Sequence, residues 1–335
     1  MPNPTLSDVA DKSNVSLATV DRVINNRAGV SERTKQRVMR AAAQLGYIIP
    51  ENDTPTSVRL AFVLPEGTNA FVHELAQQLM LQVPSMIGVT ATVERVKAFN
   101  AEALAQKLQE LEGRVDGIAM LAMDHPIVRE AVRRMIDQGI AVCTLGSDVR
   151  TVGHLGYIGI DDTQAGRLAG YLLGRLMPPT PNKIAFFAGS LAYRGHQERE
   201  MGFRQILRED FPNITVVEHC EVQDNRDMAE AEMERVLAKH PDLHGVYNAG
   251  GGTSGIASAL AKFGQAGRLR FIAHDATQGN KSLLLKGVLD AVIDQNARAE
   301  IREALITLTH AARQEPYETV PPRLQIIFRE NLPNN

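Results

Sequence analysis

The sequence is short of cysteine, tryptophan and aromatic residues in general. Cys143 and Cys220 are the two cysteines among 335 residues, tryptophan is absent, and the two thiols stand too far apart for a metal-binding motif. A disulfide-rich fold is therefore excluded, and such sparse cysteine is typical of a reducing compartment. The 44% hydrophobic content is normal for a globular protein, and the length allows two or three domains.

Long apolar runs are missing as well. No segment approaches the roughly 20 apolar residues that a membrane helix needs. The first residues, MPNPTLSD, lack the basic and then apolar order of a secretory leader. We therefore expect a cytoplasmic protein that has no membrane contact.

Catalytic motifs are also scarce. The chain has no Walker sequence, zincin motif, nucleophile elbow or convincing Ser/His/Asp set, so we predict no enzymatic activity, no cofactor and no metal. The exception is a glycine cluster in which Gly250, Gly252 and Gly255 follow a predicted strand, with Asp275 twenty residues further on. These are the spacings of a dinucleotide-binding fingerprint, although that fingerprint usually follows the first strand of its domain. A glycine-rich turn that opens on a cleft explains the same residues.

Positive charge is concentrated at the start of the chain. Residues 1–50 hold seven Lys or Arg and four Asp or Glu, a net charge of +3, whereas the whole chain carries −3. A basic N-terminal segment on an acidic body predicts a polyanionic partner for that segment.

Short polar residues divide this segment into three predicted helices. Thr5, Ser16 and Ser31 are suited to cap helix N-termini. Asn14 stands at a turn that requires a residue tolerant of positive φ, and Gly46 is a suitable C-terminal stop. The pattern predicts a helix-turn-helix with a third, supporting helix.

In a helix-turn-helix, the second helix lies in the major groove of DNA and its N-terminal residues contact base edges. We predict base contacts from Leu17, Ala18 and Arg22, of which Arg22 can bond guanine through two hydrogen bonds. Short side chains around them that can donate hydrogen bonds are predicted to contact DNA phosphates. Such contacts fix the position of the protein along the duplex but do not recognise the base sequence. These phosphate-contacting residues are Thr5, Ser16, Thr19, Asn25, Ser31 and Thr34.

The segment TLSDVADKSNVSLATVDRVINNRAGVSERTKQRVMRAAAQLGYI resembles the headpiece of the LacI/GalR family of bacterial transcription regulators. One departure is Asp21, where the family usually has Ser. This acid either orients Arg22, reads a cytosine amino group or weakens binding. A second departure is the linker, where Pro50 and Pro55 replace the family's hinge helix with its minor-groove leucine. Proline at this spacing favours a flexible or extended linker.

Apolar runs alternate with amphipathic stretches, such as residues 101–111 and 226–239, beyond Arg59. This alternation predicts parallel sheets with helices on both faces, in two lobes. The apolar runs are RLAFVLP, VTATVERV, GIAMLA, IAVCTLG, YIGI, KIAFFAG, TVVEHCEV, HGVYNAG, LRFIAHD and LDAVIDQ.

The body likewise resembles the periplasmic-binding-protein fold of the LacI/GalR family. The resemblance implies a headpiece at residues 1–49, a linker at 50–58 and an effector-binding domain at 59–330. Within that domain it implies a first lobe at about 59–160 and 295–320, and a second at about 161–294 and 321–330.

The ligand site of such a fold lies between the lobes, at the carboxyl ends of the strands. Charged, amide and aromatic side chains there suit the hydroxyls and apolar face of a polyol. Alternatives remain open, since Asp275 could cap a helix, Arg199 could form a surface ion pair, and the register around Asn248 also admits Gly250. The residues predicted to contact the effector are Asn69, Phe71, Asp124, Asp148, Arg199, Asn248, Asp275 and Gln295.

Together these features predict a ligand-responsive transcriptional regulator, expected to be a repressor. The resemblance implies a homodimer that reads a near-palindromic operator and responds to a small sugar or polyol. A transport receptor would share the ligand-binding fold, but the headpiece and the missing leader count against it. A nucleotide-dependent enzyme that uses the Gly250, Gly252 and Gly255 turn is the remaining alternative.

Overall fold

A computed structural model describes residues 4–25, 27, 29–47, 57–149 and 153–333. The chain divides into two compact units, Met1–Ser57 and Val58–Asn335. Most of the predicted linker, with Pro50, Pro55 and the expectation about a hinge helix, lies outside the described residues. No helix in the described ranges is both long and apolar enough to span a membrane.

The first unit contains the predicted helix-turn-helix. Its helices are α1 (Leu6–Ser13), α2 (Leu17–Ile24) and α3 (Glu32–Leu45). Thr5 and Asp8 form a capping box, in which Asp8 N donates to Thr5 Oγ1 at 3.3 Å and Thr5 N donates to Asp8 Oδ2 at 2.6 Å. Asn14 ends α1 with φ at 51°, as the turn requires.

The remaining caps of this unit also follow the prediction. Ser16 and Ser31 accept hydrogen bonds from Thr19 N and Thr34 N, and Gly46 ends α3 in the left-handed region with φ at 69°. Apolar residues of all three helices pack on one another as a small core, which positions α2 against α1 and α3. The buried residues of that core are Val9, Ala10, Val20, Val23, Ile24, Val38, Ala41 and Ala42.

The second unit begins with a parallel sheet in the order β2-β1-β3-β4-β5. Its strands are β1 (Val58–Pro65), β2 (Val89–Val96), β3 (Gly117–Met120), β4 (Ala141–Leu145) and β5 (Tyr157–Ile158). The helices between them are α4 (Ala70–Gln82), α5 (Ala101–Leu111) and α6 (Pro126–Asp137). This sheet and its helices form the first lobe.

A second sheet follows in the order β11-β10-β9-β8-β6-β7 and forms the second lobe. Its strands are β6 (Asn182–Ala188), β7 (Ile214–Glu221), β8 (Gly245–Asn248), β9 (Arg270–His274), β10 (Ala291–Asp294) and β11 (Gln325–Ile327). The helices of this lobe are α7 (Asp162–Leu176), α8 (Arg194–Asp210), α9 (Arg226–Lys239), α10 (Thr253–Lys262) and α11 (Gln278–Leu285).

The chain crosses between the lobes more than once. After β10 it returns to the first lobe as α12 (Ala297–Ala312), which packs on α4 and on the first sheet. It then re-enters the second sheet as β11, which pairs antiparallel with β10. Each predicted apolar run overlaps a strand, whereas β11 was not among the predicted strands.

Helices cover both faces of each sheet because the strands bury alternate residues on opposite sides. In β1, Ala61 and Val63 pack with α5 and α6, whereas Leu60 and Phe62 pack with α4 and α12. The second sheet repeats this arrangement, with α9 and α10 on one face and α7 and α8 on the other. The predicted fold class, a small all-α domain followed by a two-lobed α/β domain, is confirmed.

Candidate functional site

A cavity of about 470 Å³ lies between the two lobes, at the carboxyl ends of the strands. This volume falls within the usual range for small-molecule sites. Its wall comes from the segments after β1, β2, β3 and β4 in the first lobe, from the segments after β6, β7, β8 and β9 in the second lobe, and from the crossing after β10. Both lobes must therefore be present to complete it.

Five of the predicted effector residues line this cavity: Asn69, Phe71, Arg199, Asp275 and Gln295. Asn69 is the N-cap of α4, since its Oδ1 accepts from Phe71 N at 2.9 Å. Gln295 Nε2 donates to Asp275 Oδ1 at 2.8 Å, which ties the crossing segment to the loop after β9. Gln295 Oε1 is buried and has no hydrogen-bond partner among the described residues. It is therefore an acceptor that remains for a ligand.

Arg199 is fixed by two buried acceptors. Its Nε donates to Asp162 Oδ1 at 2.7 Å and its Nη1 donates to the carbonyl of Ala249 at 2.8 Å. The Arg199 and Asp162 side chains are only 4% and 1% exposed. Burial disfavours the charged guanidinium, but Asp162 and Asp275 more than compensate and raise the pKa of Arg199 above its ordinary value.

The close approach of α7 and α8 makes this pairing possible. Gly166 of α7 faces the backbone of Arg199, and Gly202 of α8 faces the backbone of Thr163. A Cβ at either glycine would overlap a carbonyl oxygen of the other helix. These glycines therefore let α8 approach α7 closely enough for Arg199 to reach Asp162.

Two further buried carboxyl groups lie near Arg199. Burial raises the pKa of Asp275 to about 7, against the opposing effects of Arg199 and of the hydrogen bond from Gln295. Burial also raises the pKa of Glu300, on α12, well above its ordinary value, and Asp275 and Asp162 add to the effect. Neither carboxyl oxygen of Glu300 has a hydrogen-bond partner in the described part of the chain. Burial thus favours the protonated form of Glu300.

Asp275→Asn is expected to change how stability depends on pH. Because the folded-state pKa of Asp275 is raised to about 7, the folded protein holds this proton more tightly than the unfolded chain. The group therefore makes the free energy of unfolding fall as pH rises from about 4 to 7, by at most about 1.4 kcal/mol per pH unit. The free energy of unfolding of the variant lacks this decrease. Its stability relative to the wild type therefore increases as pH rises from about 4 to 7. Denaturant titrations at pH 5, 6, 7 and 8 measure the difference, and parallel pH curves for the two proteins would contradict it.

Sequence reasoning missed several residues of the cavity wall. Lys97 and Phe99 follow β2, Tyr193 and His196 lie at the start of α8, and Asp224 follows β7. The rings of Phe99 and Tyr193 meet across the lobes, with centroids 5.4 Å apart. The loops after β2 and β7 also lie at carboxyl strand ends, so extending the same rule to every strand would have identified them.

Three predicted effector residues do not line the cavity. Asp124 forms an ion pair with Arg129 Nε at 2.6 Å. Asp148 accepts from Thr144 Oγ1 at 2.7 Å and lies 2.9 Å from His154 Nε2. Asp148 also lies 3.5 Å from Arg194 Nη1 of the second lobe. These partners hold both carboxylates, so their placement in the site is corrected.

Asn248 is the third of these residues, and it stabilises the turn that follows β8. Its Nδ2 donates to the carbonyl of Gly251 and to Thr253 Oγ1, each at 3.0 Å. The side chain is fully buried, whereas Gly250 lines the cavity. Of the two alternatives for this position, Gly250 therefore lines the cavity and Asn248 does not.

The glycine turn has packing partners of its own that account for its composition. Gly251 N donates to Asp224 Oδ1 at 2.6 Å, so a carboxylate of the chain occupies the position at which a turn of this kind would hold a phosphate. A Cβ at Gly255 would overlap the carbonyl of Arg226 in α9. This arrangement does not support the dinucleotide-binding alternative.

The predicted base-contacting residues share one exposed surface of α2. Leu17 is 53% exposed although it is apolar, and Ala18 and Arg22 are exposed beside it. The predicted phosphate contacts are exposed or half-buried, and several of their oxygens already cap helices. These residues are Thr5, Ser16, Thr19, Asn25, Ser31 and Thr34.

Asp21 does not orient Arg22. Its Oδ2 accepts from Arg27 Nη1 at 3.0 Å and its Oδ1 accepts from Asn25 Nδ2 at 2.7 Å. The Arg27 and Asp21 side chains are 65% and 40% exposed, so the ion pair contributes little stability. Of the three roles considered for Asp21, orientation of Arg22 is wrong.

Comparison with known proteins agrees with both units. Residues 60–316 match the family described as "Periplasmic binding protein domain", and the chain belongs to that family. Residues 5–50 match "Bacterial regulatory proteins, lacI family". The headpiece thus matches the lacI family model, in agreement with the resemblance described for the sequence.

Two curated relatives are named as transcriptional regulators. The "HTH-type transcriptional repressor PurR" of Vibrio vulnificus is 27% identical over 226 residues, covering 63% of this chain and 62% of that protein. The "HTH-type transcriptional regulator DegA" of Bacillus subtilis is 26% identical over 215 residues, covering 61% of each. The match thus spans about three fifths of these relatives.

A solved structure agrees with the fold of the second unit. An ABC transporter solute binding protein from Burkholderia graminis, in complex with D-arabinose, superposes with a TM-score of 0.75. It is 22% identical, and the match covers 83% of this chain and 97% of that one. At this identity, the likeness shows that the fold is shared.

Proposed function

We propose that this protein is a ligand-responsive, DNA-binding transcriptional regulator whose operator affinity is set by a small neutral sugar or polyol bound between its lobes. The observation that carries the proposal is the cavity itself, which gathers Arg199, Asp275, Gln295, Asn69 and Phe71. Charged and amide groups can bond adjacent hydroxyls, and an aromatic ring suits the apolar face of a sugar. The Burkholderia protein of the same fold holds D-arabinose, which supports this ligand class.

The headpiece supports DNA as the second partner. Leu17, Ala18 and Arg22 are available on the first turns of α2, where a helix-turn-helix contacts base edges. We propose that the protein acts as a repressor, in keeping with its relative PurR. We further propose that it binds an inverted-repeat operator as a homodimer in the cytoplasm.

Selection from a random duplex pool tests the DNA part of the proposal. Purified protein is incubated with duplexes roughly two helical turns long, the span that two adjacent half-sites require. We expect enrichment of an inverted repeat, which then serves as the operator probe. An absence of enrichment at low salt would count against the regulator.

The ligand part predicts that Asp275→Ala leaves operator binding intact but removes the ligand response. Asp275 lies in the cavity and has no part in the headpiece. Operator binding is measured against a panel of neutral pentoses and hexoses that includes D-arabinose. We expect at least one sugar to change the operator affinity of the wild type by roughly 5–150-fold, the usual range of allosteric coupling. A variant that responds as the wild type does would refute the assignment of Asp275.

A further inference from the structure

Asp224 is the residue on which the further inference rests. It follows β7 in the second lobe and lines the cavity, and Asp224 and its neighbour Gln223 adopt the left-handed region with φ at 52° and 48°. Consecutive non-glycine residues in this region persist only where surrounding contacts hold them, and such conformations cluster at functional sites. The contacts of Asp224 account for the conformation.

On one side, the carboxylate of Asp224 is anchored within its own lobe. Its Oδ1 accepts from Gly251 N at 2.6 Å. Glycines surround it on two strand-end loops, and a Cβ at Gly189, Gly250 or Gly251 would collide with the Asp224 side chain. Of the three glycines that suggested a nucleotide site, Gly250 thus leaves space for the Asp224 side chain.

On the other side, Asp224 contacts the first lobe. Its Oδ2 accepts from Asn69 Nδ2 at 2.9 Å, and its carbonyl accepts from Thr68 Oγ1 at 3.3 Å. Asn69 is itself rigid, because its Oδ1 caps α4. The carboxylate therefore bridges a fixed turn of the second lobe to a fixed helix terminus of the first, at the wall of the cavity.

We propose that Asp224 is a positioning residue of the effector site, and that its bond to Asn69 helps to hold the two lobes together around the bound sugar. This inference rests on the proposed function for its ligand, but the bond and its effect on the distance between the lobes do not depend on it. Asp224 acts on the sugar through the closure of the cavity, so its loss weakens binding of every sugar that requires closure.

Exchanging the two side chains of the Asp224–Asn69 pair should restore the bond that either single substitution breaks. Asp224→Asn can present an amide nitrogen to the amide nitrogen of Asn69, so two donors face each other. Asn69→Asp keeps the oxygen that caps α4 but sets two carboxylates against each other. In the double variant a carboxylate again faces an amide, with donor and acceptor exchanged between the lobes.

The experiment compares the full-length wild type, both single variants and the double variant. Small-angle scattering without sugar reports the opening of the lobes. Calorimetric titration with the neutral pentoses and hexoses of the panel reports affinity. Asp227→Asn is the matched control, because its carboxylate lies three residues away and is 86% exposed.

We expect both single variants to be more extended than the wild type and to bind sugar roughly tenfold or more weakly, a typical size for directly bonded pairs. The double variant is expected to regain the wild-type dimensions and most of the affinity, and the control to match the wild type throughout. Restored dimensions with weak sugar binding would still support the bond, and would support the direct sugar contact already predicted for Asn69. A double variant no more compact than the single variants would overturn the proposal.

If the wild type binds no sugar of the panel, the ligand class fails and scattering alone decides whether Asp224 holds the lobes together.

Discussion

Arg199→Ala is expected to lower the free energy of unfolding of the second unit by about 3–5 kcal/mol, the usual cost of removing one partner of a buried ion pair. The substitution leaves the carboxylate of Asp162, which is 1% exposed, without its cationic partner. It also removes the donor to the carbonyl of Ala249. Both groups would stay buried, because α7 and α8 still pack closely around them. Urea denaturation followed by circular dichroism measures the change.

A second ion pair between the same two helices provides the control. Arg167 of α7 lies 2.8 Å from Glu209 of α8, and their side chains are 34% and 44% exposed. Arg167→Ala is expected to cost less than about 1 kcal/mol, because water replaces the lost partner. Equal losses of unfolding free energy for the two substitutions would show that burial does not make the Arg199–Asp162 pair more stabilising than the exposed pair. If Arg199→Ala were as stable as the wild type, the pair would have no structural role.

Arg22→Ala is expected to abolish the preference for the selected operator while general DNA binding persists. A bidentate arginine–guanine contact discriminates against the wrong base by about 1–3 kcal/mol. Two symmetric half-sites in a dimer would double that difference. Phosphate contacts are independent of sequence and would remain. Competition of the selected operator against a scrambled duplex at fixed salt measures the ratio of the two affinities.

Arg40→Ala is the matched control for charge, because it removes the same charge from an exposed position of α3. Loss of one phosphate-neutralising cation lowers the affinity for all sequences to a similar extent. We therefore expect Arg40→Ala to leave the operator-to-scrambled ratio unchanged. If Arg22→Ala retained that ratio, α2 would not be the helix that reads the operator.

The headpiece could be predicted almost completely because its signals are local. Thr5, Ser16 and Ser31 each cap a helix through a bond to a residue three positions away, and Gly46 ends α3 by its own backbone conformation. The strands of the second unit were equally readable, since buried parallel strands are continuous apolar runs. The strand β11 was missed because it spans only three residues at the edge of its sheet.

The site was harder to predict because its contacts join distant parts of the chain. Asn69 and Asp224 are 155 positions apart, and nothing near either residue indicates the other. Asp148 was misplaced because its carboxylate is taken by Thr144 and His154, which are close in sequence, and by Arg194, which is 46 positions away. Asn248 differs from Gly250 by one strand period, so pattern alone could not decide which of them lines the cavity.

The return of the chain to each lobe late in the sequence has a consequence for the order of folding. The core of the first lobe, including Leu60 and Phe62, is completed by Ile301, Leu305 and Leu308 of α12. The second sheet likewise gains its edge strand only at β11. During synthesis, the early segments of both lobes must therefore wait for the last tenth or so of the chain before either core can close. Contacts of such long sequence separation slow folding and leave apolar surface exposed in the interval, so we expect the nascent chain to depend on protection from aggregation until α12 has emerged.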